Sequence, residues 1–396
     1  MTKTTGITWA AASARRFERQ FLAMSARTGT PVADVAAAML GVHAQVLSAA
    51  ELSVGLRADG VTRADVREAL WPTVSPTAPP PPPSPSLVKT HGPRGTVHLL
   101  PARDLPMWCA ALPAIPDGTA APAADVRLTE EQARQVVGAI ADALDGAFLT
   151  VDELGEEVVA RTGPWAGDPV MPAFQTMWPR WRQVLHRAGQ CGALSFGPNR
   201  GRRVTYTRPP HFAPLPPEEA TRLLVRRYLY AYGPATPQHF ARWLAAPPGW
   251  AKTRYAELAA AGEIEEVRFE GASAWVVAGD TGFRDEPVRG VRLLPYFDAY
   301  VVAAQPRELL FPGAAYRRAL AGGQAGNFPV LLVDGVVAGV WHQRRRGRRT
   351  TVTVEPLVPL TARQERELAD RVARVGAVLE AAAELVIGEV TVGAHA

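Results

Sequence analysis

Three times along this 396-residue chain, helix-type spacing of apolar residues gives way to a short pair of alternating strands. That recurrence constrains the fold more than any single residue does. Three copies of helices followed by a hairpin make an internal repeat at the structural level. In the clearest copy, the spacing predicts helices over 217–232, from Thr236-Pro237 to Ala245, and over 249–261, with Gly233 and Gly262 as stops. Glu263–Phe269 and Ala274–Ala278 then alternate around Glu270-Gly271 as a hairpin. Three helices followed by a hairpin is the winged-helix order.

The middle copy opens with helices over 129–145 and 150–162, each begun by a capping threonine, Thr129 and Thr150. A longer helix over 172–189 is expected next, with Phe174, Met177, Trp178, Trp181 and Leu185 on its apolar face. Strands Ala193–Phe196 and Arg203–Thr207 close that copy. The first copy predicts a helix over 14–28, a second from Thr30-Pro31 to Gly41, a third over 47–56 and a fourth over 62–70. The proline run from Pro76 to Pro85 can only be a polyproline II loop. Leu87–Thr90 and Gly95–Leu100 form the first hairpin, around His91-Gly92-Pro93-Arg94. From 288 onward the pattern turns to strands at 291–294, 330–333, 336–343 and 350–354, with Asp334-Gly335 as a two-residue turn. A helix over 361–383 and a strand over 386–392 end the chain. The expected fold class is therefore α+β, with winged-helix repeats over 1–115, 125–212 and 213–283 and a β-rich module over 284–396.

Charge narrows the function. The formal net charge is +5, and lysine occurs only at Lys3, Lys89 and Lys252, so the basic side is arginine. Arginine suits bidentate phosphate contacts, and a GC-rich genome is an equally good cause of the bias, so the clustering says more than the number. The arginines cluster: Arg200, Arg202 and Arg203 at one hairpin tip, Arg226-Arg227 on a helix, and Arg344, Arg345, Arg346, Arg348 and Arg349 at another tip. Basic tips on winged helices point to double-stranded DNA as partner, and a solvated loop is the plainer alternative for either tip. The two cysteines, Cys109 and Cys191, form no metal-ligand spacing. No P-loop, dinucleotide fingerprint or HExxH pattern occurs, so ATP, NAD and zinc are not implied and no cofactor is expected. The first residues carry no signal-type apolar core and no apolar run reaches the ~18 residues of a membrane span, which predicts a cytoplasmic protein with no membrane partner.

His43-Ala44-Gln45 is an unusual junction between two apolar helices, where glycine or serine would serve as a plain linker. In an extended segment residues 43 and 45 share a face. A histidine and a carboxamide there can hold a water, and the histidine can take its proton. Read alone, a capping or structural role is the stronger reading. Asp298 in Pro-Tyr-Phe-Asp reads as a buried structural acid and His98 as a core histidine with a partner; Trp178 and Trp181 read as core.

Four segments change the weighting: Leu40-Gly41-Val42-His43-Ala44-Gln45, Arg94-Gly95-Thr96-Val97-His98-Leu99-Leu100, Leu293-Leu294-Pro295-Tyr296-Phe297-Asp298 and Val337-Ala338-Gly339-Val340-Trp341. In this order they resemble the winged-helix DNA glycosylases of the AlkZ/YcaQ (AlkX) type. The resemblance implies tandem winged helices and a β-rich C-terminal part, C-shaped around a basic DNA channel, and removal of N7-alkylated purines. It places the family's catalytic pair, two glutamines one residue apart, at positions 43 and 45. This chain has histidine at the first, like a His-x-Gln subgroup linked to self-resistance against hedamycin-type guanine alkylators. The implied function is a monofunctional, monomeric glycosylase acting on duplex DNA carrying alkylated guanine, with His43 and Gln45 at the water. No lysine lies near the segment to act as a Schiff-base nucleophile. A non-catalytic winged-helix regulator or adduct-sequestering protein, and a protein-interaction scaffold, are the competing readings.

Overall fold

The computed structural model describes residues 6–73, 84–116, 123–173, 176–284, 286–320 and 322–394. Most of the proline run and Phe174 lie outside them. Helix α1 (Trp9–Arg19) is capped by Thr8, whose hydroxyl accepts from Ala11 N at 3.2 Å. It begins before the expected 14–28 helix and stops early, because Phe21 takes a left-handed φ of 56°. Met24, expected on its apolar side, is therefore 82% exposed. Helix α2 (Val32–Ala38) follows. Strand β1 (Val42–His43) and helices α3 (Leu47–Gly55) and α4 (Arg63–Leu70) lead to strands β2 (Leu87–His91) and β3 (Val97–Pro101), giving a sheet of order β1-β3-β2. Helix α5 (Leu105–Ala111), which the sequence did not announce, packs on the third copy.

Helix α6 (Glu130–Ala143), strand β4 (Leu149–Thr150) and helix α7 (Val151–Thr162) stand where the capping threonines place them. The long 172–189 helix is not formed. In its place are a strand pair, β5 (Pro169–Pro172) and β6 (Met177–Pro179), a 3-10 turn over 180–184 and a short helix α8 (Leu185–Gln190). The prolines at 169, 172 and 179 explain this: each lacks an N–H and forces its predecessor toward extended backbone. As a result Trp178 is 41% exposed beneath the Arg182 guanidinium, while Trp181 is buried as expected. Strands β7 (Ser195–Phe196) and β8 (Thr205–Thr207) pair with β4 in the order β4-β8-β7. Residues 128–206 enclose a core of their own around Trp181, Ile140 and Leu154.

Helices α9 (Pro217–Tyr232), α10 (Pro237–Leu244) and α11 (Pro248–Ala260) precede the hairpin of β9 (Ile264–Phe269) and β10 (Ala272–Val277). Their core is aromatic, with Tyr228, Tyr232, Phe240 and Trp243 packed together. Strand β11 (Val291–Leu294) enters the last part, followed by three short helices, α12 (Ala299–Ala303), α13 (Arg307–Leu310) and α14 (Ala314–Ala319). Strands β12 (Val330–Val333), β13 (Val336–Arg346) and β14 (Arg349–Pro356), helix α15 (Ala362–Leu379) and strand β15 (Ala382–Ile387) complete it. The sheet runs β11-β12-β13-β14-β15, antiparallel except for the last pair. The final strand lies earlier than the expected 386–392, since α15 ends at a left-handed Glu380 and Ala383 and Leu385 alternate inward onto the core. The architecture is α+β. α15 and Leu52 of α3 cover one face of the sheet, which brings the N-terminal third against the C-terminal sheet. None of the helices among the described residues is long and apolar enough to cross a membrane.

Candidate active site

The segment His43-Ala44-Gln45 is held by strand β3. His43 pairs with His98, and Ala44 N donates to the Val97 carbonyl at 2.7 Å. The chain reaches this register through Leu40 (φ 55°) and Gly41 (φ 93°). A Cβ on Gly41 would lie 2.8 Å from Leu100 Cδ2, so glycine is required there for space as well as for φ.

His43 and Gln45 sit in different surroundings. His43 is only 7% exposed. Its ring lies over Phe297 at 4.4 Å between centroids, tilted by 34°, and edge-on to His98 at 5.2 Å. Its Nδ1 is buried and has no hydrogen-bond partner. Burial first, then the nearby Arg94 cation, hold its pKa down at about 3, so the imidazole is neutral at pH 7. Gln45 is exposed. Its Oε1 accepts from Val97 N at 3.4 Å, so the carboxamide extends the ladder on the same residue whose carbonyl receives Ala44.

Beside His43 lies a cavity of about 10 Å³, walled by His43, His98, Arg94, Tyr232, Trp243 and Phe297. That is room for one water and not for a base. Arg94 occupies a left-handed turn position (φ 59°) and donates to the Trp243 carbonyl at 2.6 Å. Its burial pushes the guanidinium pKa down to about 10. His98 places Nδ1 2.9 Å from the Thr96 carbonyl, and burial holds its pKa well below the usual histidine value. In the sequence His98 reads as core only, and neither Arg94 nor Phe297 stands out. The available signal for Arg94 is its place in a turn before Gly95, where a large side chain with positive φ is uncommon.

Phe297 itself is fixed by Asp298. That carboxylate is fully buried and takes both Arg57 nitrogens at 2.7 Å, the Ser53 hydroxyl at 2.9 Å and the Tyr300 amide at 3.0 Å. This is the structural acid the sequence suggested, and it ties the Phe297 turn to α3, the helix that follows Gln45 in the chain.

The arginine clusters separate. Arg226 lies 3.6 Å from Glu263 and Arg227 2.8 Å from Asp104, so each has an acidic partner within the fold. Arg200 is tied to Glu153 and the Phe148 carbonyl, both at 2.7 Å, while Arg202 and Arg203 are exposed beside it. Arg344, Arg345, Arg346, Arg348 and Arg349 crowd the exposed tip of the β13–β14 hairpin, and no acid pairs with them among the described residues.

Known proteins resemble this chain over nearly its whole length. The family model "DNA glycosylase AlkZ-like" matches residues 36–378, which spans His43, Arg94, His98, Phe297 and the basic hairpin. A Streptomyces sahachiroi protein described as an interstrand DNA cross-link repair glycosylase is 32% identical over 352 residues, 84% of this chain and 87% of its own. The solved structure of the Streptomyces sahachiroi DNA glycosylase AlkZ superposes with a TM-score of 0.72 at 27% identity, covering 96% of this chain and 100% of its own. The chain belongs to the AlkZ-like DNA glycosylases, hydrolases that act on N-glycosyl bonds.

Proposed function

We propose that this glycosylase releases N7-alkylguanine from duplex DNA, including bulky and cross-linked adducts of a genotoxic natural product, and serves repair or self-resistance. The observation that carries the reading is a neutral, buried His43 beside a cavity for one water. The relative that repairs interstrand cross-links supports the substrate class. An N7-alkylguanine is cationic and already a good leaving group, so the site needs neither a strong acid nor a strong base. The water oxygen bonds to C1′ as the C1′–N9 bond breaks. The electron pair of that bond neutralises the purine, and the water's proton leaves by way of His43 to solvent. A histidine with a pKa near 3 is a weak base, so its main work is to orient the water while the sugar carries positive charge. Gln45, exposed beside it, contacts the sugar from the DNA side.

The arginines of the two hairpin tips, Arg202 and Arg203 and the set from Arg344 to Arg349, neutralise phosphates along the duplex, with the three helix–hairpin repeats as a monomeric DNA-binding frame. The test is release of 7-methylguanine from methylated duplex DNA, followed by mass spectrometry. Wild type releases the base, and His43→Ala and Gln45→Ala each slow release by about 100-fold, the usual reach of a positioning or proton-transfer group. Unchanged rates in both variants would remove the pair from the mechanism. DNA binding without base release by the wild type would favour a non-catalytic binder.

A further inference from the structure

A second imidazole faces the water cavity. His98 stands opposite His43 across the β1–β3 pair, 5.2 Å between ring centroids and steeply inclined to it. Its Nδ1 lies 2.9 Å from the Thr96 carbonyl oxygen. A carbonyl oxygen can only accept, so Nδ1 carries the proton and donates. In the neutral ring the lone pair then belongs to Nε2. The ring is held neutral by burial, reinforced by Arg94 and His43. The backbone thus fixes one tautomer, as a second group commonly does for a working histidine.

We infer that the cavity between His43, His98 and Arg94 is the seat of the hydrolytic water, and that His98 is a second water-binding residue, accepting a hydrogen bond from it at Nε2. The inference rests on the glycosylase reading above and adds to it an assignment of the water's partners. A water has two protons and two lone pairs. Two neutral imidazoles can accept both protons in hydrogen bonds. Arg94 has five N–H donors, and the bond to the Trp243 carbonyl uses one, so another can donate to one lone pair. The remaining lone pair is left for C1′. No proton transfers at His98; it fixes the water's orientation, and this restricts the freedom the nucleophile would otherwise lose during reaction. The volume agrees, since about 10 Å³ holds one water and the site offers it the polar partners a buried water needs.

Two substitutions separate this role from packing. In His98→Asn the amide nitrogen stands near the Nδ1 position, so the bond to Thr96 is kept and the Nε2 lone pair is lost. In His98→Gln the amide oxygen reaches the Nε2 position and restores an acceptor. Single-turnover release of 7-methylguanine is measured for both, together with DNA affinity. The expected result is a loss of about tenfold or more for Asn, in keeping with removal of one hydrogen bond to the nucleophile, with affinity unchanged and substantial recovery in Gln. A wild-type rate for Asn, or equal loss in both, would overturn the assignment and leave His98 structural. Nitrogen-15 NMR of the imidazoles gives a reading independent of activity: Nδ1 protonated and Nε2 bare is expected, and a protonated Nε2 sinks the inference. A wild-type protein that releases no base refutes the glycosylase substrate reading instead, while the NMR still decides the tautomer.

Discussion

Replacing Asp298 by Asn changes almost no volume and removes one buried charge. The Arg57 guanidinium stays behind, fully buried, facing an amide in place of a carboxylate that took two of its N–H groups at 2.7 Å. Breaking a buried pair from one side costs about 3–5 kcal/mol, because the surviving charge is left uncompensated. The urea dependence grows with chain size and is about 3 kcal/mol per molar or more for a chain this long, so a loss of about 3 kcal/mol moves the midpoint down by about 1 M or less. The asparagine oxygen can still accept from Ser53 or from the Tyr300 amide, so the cap of α12 is only partly lost. Adding Arg57→Met to Asp298→Asn removes the stranded charge, and the double variant should be more stable than Asp298→Asn alone. Urea unfolding followed by tryptophan fluorescence reads both. A cost below about 1 kcal/mol for Asp298→Asn, or a double variant weaker than the single by the full cost of losing arginine, would refute the reasoning. Base release should fall even under conditions where the single variant stays folded, because Phe297 loses the anchor that holds it against His43.

Since His43 is neutral down to about pH 3, the single-turnover rate should stay level from about pH 8 to pH 5, and an inflection near 6.5 would contradict its placement. His43, His91, His98 and His239 all have folded pKa values depressed below the ordinary 6.5, mainly by burial. Their contribution to stability is present above about pH 6.5 and is lost as pH falls from there toward 4, by up to about 1.4 kcal/mol per pH unit for each group. The urea midpoint at about pH 5 should therefore lie well below that at about pH 7.5, and an equal or higher value would count against the buried placement of these rings. Serine in place of Arg344, Arg345, Arg346, Arg348 and Arg349 should weaken DNA binding and flatten its salt dependence by about 0.9 in slope for each phosphate no longer neutralised. The same change at Arg226, already paired with Glu263, should leave the slope alone.

Much of the frame was legible because local chemistry and tertiary packing agree. Thr129, Thr150, Thr236 and Thr361 each begin a helix through a reciprocal cap, which a sequence displays directly. Asp334-Gly335 makes the expected turn between β12 and β13. The 172–189 segment departs from its apolar spacing because three prolines end any helix that passes through or near them. The limits of the first helix differ because a left-handed Phe21 carries no sequence signature. At the candidate site, His43 and Gln45 stand out as polar residues between apolar helices. Their unequal burial does not, since it depends on Phe297 and Trp243, which lie far away in the chain and meet the segment only after folding. Arg94 is hidden for the same reason: the carbonyl its guanidinium donates to belongs to Trp243, far away in the chain.

Helix α3, which leaves almost directly from Gln45, is gripped on two sides by the last third of the chain. On one side Ser53 and Arg57 meet Asp298, and on the other one Arg374 nitrogen takes the carbonyls of Gly55, Ala58 and Val61 at 2.6, 2.5 and 2.8 Å. Gly55 has no room for a Cβ, which would lie 2.5 Å from Val378 Cγ1. During synthesis, then, the residues around position 43 emerge long before the residues that shape their pocket. A nascent or truncated chain ending before α15 lacks the clamp, and one ending before Phe297 lacks a wall of the cavity. The clamp on α3 and the wall beside His43 are thus both built from residues of the last third of the chain, so the surroundings of position 43 are complete only after α15 has been made.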